Sequence, residues 1–132
     1  MTPTLKTQPP SSPSFLLSYP TPTILLITIN RPQQMNSIGY AGHWEADSII
    51  QWFDSEPSLR VAIITGAGKK AFCAGQDLIE QATFRRSPPP ASARRHPQNG
   101  FAGISRRVGK KPVIAAVNGF ALGGGFEIVL NW

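Results

Sequence analysis

The chain holds a single cysteine, Cys73, so no disulfide can form within it; such cysteine usage suits a reducing intracellular compartment. Long apolar runs are also missing. The longest, Ile24 to Ile29, has six residues with Thr28 among them, against roughly 20 for a bilayer span, so no membrane association is expected. The first 22 residues contain six prolines but neither an acidic residue nor an arginine. They lack the apolar block of a secretory leader and the arginines of an organellar presequence, and both readings are disfavoured. Acidic residues are scarce, 7 against 13 basic, and the net charge is +6. The excess is local: ten Lys and Arg between Lys69 and Lys111 face only Asp77 and Glu80, giving +8, and the remainder sums to −2. Such a block suits solvated surface doublets, a nucleic acid or a phosphorylated small molecule.

What is present is enough apolar material, 41% of 132 residues, for one domain with a real core, which excludes a largely disordered chain. Residues 1–22 read as a Pro-rich flexible tail. Thr23 to Ile29 reads as a buried strand closed by Asn30-Arg31-Pro32. A helix follows, with Ala46, Ile49, Ile50 and Phe53 at i, i+3, i+4 and i+7 and Pro57 beyond its end. Val61 to Thr65 is a second strand. Asp77 and Glu80, three apart, open another helix that Asp77 can cap. The Pro- and Arg-rich stretch 85–98 reads as a mobile surface loop. Phe101, Ile104 and Val108 resume helical spacing, Val113 to Val117 forms a further strand, and a last helix starts at Gly123-Gly124-Gly125 and has run two turns when the chain stops. The chain reads as cut short.

Two segments share one design, a buried strand, a glycine-rich turn and a helix start: Phe72 to Asp77 and Asn118 to Glu127. Each offers free backbone N–H groups, and two such donors facing one point can hold a carbonyl oxygen that becomes an oxyanion. The same glycines could equally serve tight turns and helix packing. Glu127 lies three residues past Gly124 among Phe126, Ile128, Val129 and Leu130. It is placed either to exchange protons in an apolar setting or to face solvent at a helix start.

Asn30-Arg31-Pro32 with Asn36, Ala62-Ile63-Ile64-Thr65-Gly66, Ala71-Phe72-Cys73-Ala74-Gly75-Gln76-Asp77-Leu78, Lys111 to Gly119 and Ala121 to Glu127 occur in that order. Together they resemble the crotonase (enoyl-CoA hydratase/isomerase) superfamily, fungal members most of all, some of which act in peroxisomes or toxin pathways. The resemblance implies an α/β fold, a crotonase-like ββα spiral spanning 23–132. It also implies that the later turns and the C-terminal helical trimerisation region are absent. It further implies an acyl-CoA thioester as substrate, with coenzyme A entering as part of it and no other cofactor or metal. The Gln76 and Gly124 N–H groups would form an oxyanion hole and Glu127 would be an acid/base. Ala74, Gly75, Asp77, Leu78 and Gly123 would lie along the substrate. The basic block would meet the coenzyme's phosphates. A second acid/base residue belongs to a later turn, so this chain alone is expected to be a weak catalyst or a non-catalytic remnant. The complete form would be a homotrimer or hexamer, in the peroxisome by resemblance, with mitochondrion or cytosol as alternatives.

Other readings carry less. Gly66 to Ala71 fits a dinucleotide fingerprint, but no helix can follow it directly and Arg85-Arg86 stand where an acidic ribose ligand is needed. Cys73 reads as a small buried thiol, His43 and His96 as lone residues without metal spacing, and Trp44, Trp52 and Phe53 as core. No RNA-binding motif accompanies the basic residues.

Overall fold

The computed structural model describes residues 3–131. Three strand–strand–helix units follow one another: β1 (Phe15–Thr21), β2 (Ile24–Ile29) and α1 (Tyr40–Ser55); β3 (Val61–Gly66), β4 (Ala71–Cys73) and α2 (Leu78–Arg86); β5 (Val113–Ala115), β6 (Phe120–Ala121) and α3 (Gly124–Leu130). A four-stranded sheet runs β1-β2-β3-β5, with β1 antiparallel to β2 and the others parallel, and β4 pairs with β6 in a small parallel sheet. No described helix is long and apolar enough to cross a membrane.

The register explains the core. Leu25 lies beside Ala62 and Ala62 beside Val113, while Ile27 lies beside Ile64, so the inward-facing residues of three strands line up across one face. That face forms a single apolar cluster with Ala46, Ile49, Ile50 and Phe53 of α1. Each fully buried aliphatic side chain contributes about 1.5–3 kcal/mol. The strands alternate rather than being buried on both faces, and Ile114 is half exposed on the outer side.

The amino-terminal segment differs from the flexible tail expected of it. Residues 15–21 form β1 with Phe15 buried, and Pro20 is tolerated because β1 is an edge strand, where a missing N–H removes no ladder bond. Upstream of β1, the Lys6 N–H donates to Glu56 Oε1 (2.6 Å), the Trp52 indole N–H donates to Thr7 Oγ1 (3.0 Å), and Ser12 Oγ donates to Glu45 (2.6 Å). The Lys6 N–H bond, foremost, holds the Glu56 carboxyl below the usual carboxylate range. Side chains on α1 and at its end, two carboxylate acceptors and one indole donor, thus dock a segment whose prolines bar regular structure of its own.

Two further expectations change. The apolar spacing at Phe101, Ile104 and Val108 is not a helix but a 3₁₀ turn, Phe101–Gly103, with Ala102 and Gly103 at φ 56° and 65° and Val108 fully exposed. A Cβ on Gly103 would lie 2.6 Å from the Asp47 backbone, so this turn packs directly on α1. Trp44 is half exposed rather than core, its indole N–H donating to Arg95 O (2.9 Å) and tying the 85–98 loop back over α1.

Candidate active site

The site is assembled by short polar ties between consecutive units. Asn36, buried with φ 56°, accepts the Arg31 N–H (2.9 Å) and donates to Ala67 O (2.9 Å) and Ala71 O (2.8 Å), fastening the β2–α1 turn to the β3–β4 turn. Asp77 caps α2 by accepting the Glu80 N–H (3.0 Å) and pairs with Arg31 (3.0 Å), so it serves as a cap, and Glu80 in turn accepts the Tyr40 N–H (2.8 Å) at the start of α1. Asn118 holds the Gly66 turn from the third unit, accepting its N–H (3.1 Å) and donating to its carbonyl (2.8 Å).

These ties bring the two glycine turns together. Gly75 has φ 101°, its carbonyl accepts the Ile38 N–H (2.8 Å), and the Asp77 N–H donates to Ile38 O (3.0 Å), which leaves the intervening Gln76 N–H outside the bridge. The Leu122 N–H donates to Cys73 O (3.0 Å), and a Cβ on Gly125 would lie 2.1 Å from that same oxygen, so α3 rests on the β4 backbone. A Cβ on Gly75 would lie 3.5 Å from Gly124 N and 2.8 Å from Leu122 O. Among the described residues no acceptor takes the Gln76 or the Gly124 backbone N–H. Both residues line a cleft of about 550 Å³ together with Glu127, Phe101, His96 and Arg106.

Gln76, Gly124 and Glu127 all line one cleft. Glu127 is the one carboxylate among the described residues lining it. The apolar enclosure expected around that carboxylate is not found: α3 turns Ile128 inward and leaves Phe126, Glu127 and Leu130 exposed. Ala74, Gly75, Asp77 and Gly123 sit on the adjoining turns and Leu78 at the start of α2, none of them in the cleft wall; Ala74 is held by its N–H to Met35 O (3.0 Å), and Leu78 and Gly123 are exposed. Cys73 is a buried thiol pushed up to about 11 by desolvation, which suits packing rather than reactivity.

The basic block divides. Arg107 pairs with Asp54, and Lys111 donates to Phe53 O (2.6 Å) and Glu56 O (2.5 Å) while lying over the Phe53 ring (4.9 Å), capping the end of α1. Those two are structural and not available to a phosphate.

Sequence reasoning missed the histidines. His43 and His96 lie with ring centroids 4.5 Å apart, and the Nε2 of each meets Gln76 Oε1, at 2.7 and 3.2 Å. His43 Nδ1 accepts the Ala102 N–H (2.9 Å), and burial, foremost, lowers this histidine to about 4. Nothing in linear spacing signals this group, because it is made by the 85–98 loop and the Phe101 turn folding back on α1.

A sequence model described as enoyl-CoA hydratase/isomerase matches residues 21–131. A mevalonyl-coenzyme A hydratase from Beauveria bassiana is 46% identical over 96% of this chain and 47% of its own length, and one from Aspergillus fumigatus is 48% identical over 92% and 44%. The solved structure of a carnitinyl-CoA dehydratase from Mycobacterium avium superposes with a TM-score of 0.74 at 40% identity, covering 91% of this chain and 45% of that one. The chain thus spans a little under half the length of the relatives it matches, and its mixed α/β architecture is theirs over that span. The chain belongs to the enoyl-CoA hydratase/isomerase family, within the crotonase superfamily.

Proposed function

We propose that this chain carries the thioester-activating part of an enoyl-CoA hydratase/isomerase-type site, acting on an acyl-CoA. The observation that carries the reading is the convergence of the Gln76 and Gly124 turns, whose backbone N–H groups have no acceptor among the described residues, on a cleft that also holds Glu127. Two amide donors on the thioester oxygen stabilise the enolate that forms when a proton leaves Cα or a nucleophile adds at Cβ; one such donor is worth about 3–4 kcal/mol of barrier. Glu127, exposed on the cleft wall, takes or returns the Cα proton. Coenzyme A enters as part of the substrate rather than as a resident cofactor. The names of the fungal relatives make a mevalonyl-type acyl group the first candidate.

Hydration needs a second group to handle the attacking water. Glu127 is the one carboxylate in the cleft among the described residues, so the 132-residue chain is read as competent for Cα-proton exchange and weak or inactive in net hydration. The test is Cα hydrogen–deuterium exchange of a saturated acyl-CoA in D₂O, followed by NMR, with Glu127→Gln alongside. Exchange abolished by the substitution supports the reading. Exchange that is indifferent to Glu127 removes its assigned role, and an absence of any acyl-CoA binding removes the reading itself.

A further inference from the structure

A second hollow, of about 400 Å³, adjoins the cleft. Gln81 lines both, and the Tyr40 ring of the hollow lies against the His96 ring of the cleft wall, centroids 5.5 Å apart. Gln81, Phe84 and Arg85 fall at i, i+3 and i+4 on α2, so they share one face of that helix. Phe84 stacks on Tyr40 of α1, the ring planes within 9° at 5.8 Å. Arg94 reaches the same hollow from the 3₁₀ turn Ala91–Arg94 of the 85–98 loop. The bond from the Trp44 indole to Arg95 O (2.9 Å) ties that end of the loop to α1.

The charge of this hollow is one-sided. Two arginines line it and no acidic residue does. Arg31 and Arg107 each pair with an aspartate, whereas neither Arg85 nor Arg94 has a carboxylate partner among the described residues. Two cations on one small hollow repel each other and build a positive potential that an anion relieves. The cleft differs, because its Arg106 shares the wall with Glu127. A guanidinium accepts a carboxylate or a phosphate in the same forked geometry, so position decides between them.

A helix rises about 1.5 Å per residue, so Arg85 starts about 12 Å along α2 from Asp77, which follows the Gln76 donor. Side chains on a helix lean towards its N-terminus, which brings Arg85 back in the direction of the cleft. An acyl chain of medium length, met by the reach of an arginine, covers that span. The coenzyme's phosphates stand further from the thioester, beyond the whole pantetheine arm. Tyr40 and Phe84 add apolar surface suited to the methylenes of an acyl chain.

We propose that this hollow binds a carboxylate at the far end of the acyl group, with Arg85 and Arg94 as its cationic partners, so that the protein accepts mono-thioesters of dicarboxylic acids. The inference rests on the acyl-CoA reading above and extends it to acyl groups with a terminal negative charge.

The test compares adipyl-CoA with hexanoyl-CoA, which differ only by a terminal carboxylate in place of a methyl. Both are titrated by calorimetry into the 132-residue chain, the Arg85→Gln/Arg94→Gln double variant and Arg86→Gln. Arg86 is exposed, follows Arg85 and does not line the hollow, so it controls for net charge. The unsubstituted chain and Arg86→Gln should bind adipyl-CoA about 10-fold more tightly, as a charge-assisted pair in a half-open hollow gives. The double variant should bind the two probes equally. Equal affinities in the unsubstituted chain, or a preference that survives in the double variant or vanishes as fully in Arg86→Gln, overturn the inference and leave the acyl-CoA reading intact. A double variant that weakens both probes by the same factor places the arginines on the coenzyme's phosphates and also overturns it. No binding of either probe overturns both readings. Should the double variant fail to fold, salt decides: the preference of the unsubstituted chain must shrink as sodium chloride is raised, and a preference indifferent to salt refutes the assignment.

Discussion

Gly125→Ala is the most informative single perturbation, because it acts on the site through the backbone. The added Cβ would sit 2.1 Å from Cys73 O and 2.8 Å from Cys73 C, both main-chain atoms of β4 that cannot rotate away. To reach even 3.0 Å, α3 must lift from β4 by nearly 1 Å. Overpacking of this kind costs about 1–3 kcal/mol of stability. The functional cost is larger, because Gly124 N moves with the helix while Gln76 is held in place by its neighbours, Gly75 and Asp77, both bonded to Ile38. Oxyanion donors work within about 2.7–3.1 Å, so a displacement of that size forfeits most of one donor, about 3–4 kcal/mol or several hundred-fold in rate. The assay is Cα-proton exchange on a saturated acyl-CoA, with urea unfolding in parallel. Gly68→Ala is the control: it imposes a left-handed conformation (φ 84°) with its nearest contact at 3.5 Å, away from the cleft. It should lose about 1 kcal/mol of stability and keep its exchange rate. A folded Gly125→Ala protein that exchanges at the unsubstituted rate would refute the claim that α3 seated on β4 positions the donor.

Asn36→Ala should destabilise the chain by about 2–4 kcal/mol in urea unfolding, since it strands the Arg31 N–H and two carbonyls at a buried left-handed position; a change under about 1 kcal/mol would mean that water replaces the side chain. His43 should stay neutral until near pH 4. Its folded value lies below the unfolded one of about 6.5, so the unfolded chain binds the proton first; stability is complete above about pH 6.5 and falls on the order of 3 kcal/mol as the pH drops towards 4. An NMR titration showing His43 protonating near pH 6.5 in the folded chain would contradict this. Lys111→Met, which keeps most of the apolar stem over Phe53 but removes the donors to Phe53 O and Glu56 O, should cost about 1–3 kcal/mol in the same unfolding assay. Lys110→Met, at an exposed position, should change stability by less than about 0.5 kcal/mol, and equal effects of the two would remove the capping role.

The sequence by itself determined the parts of the fold that rest on short-range chemistry. β-branched runs made β2, β3 and β5 legible, the i, i+3, i+4, i+7 spacing marked the buried face of α1, and Asp77 three residues before Glu80 announced the cap of α2. The glycine turns at Gly75 and Gly124 with Glu127 beyond them were legible for the same reason, because backbone freedom and helix starts are written locally. Tertiary structure decided the rest. β4 and β6 are two to three residues long and exist only because they pair with each other. β1 survives its proline because it lies at a sheet edge. The Phe101 turn, with Ala102 and Gly103 left-handed, is packed against Asp47 of α1, a contact distant in sequence. Arg107 and Lys111 were read for their charge, and the structure spends that charge on Asp54 and on the end of α1. The Gln76 carboxamide takes its orientation from a histidine on α1, a histidine on the 85–98 loop and a backbone N–H of the Phe101 turn, groups far apart in sequence that no local pattern can bring together.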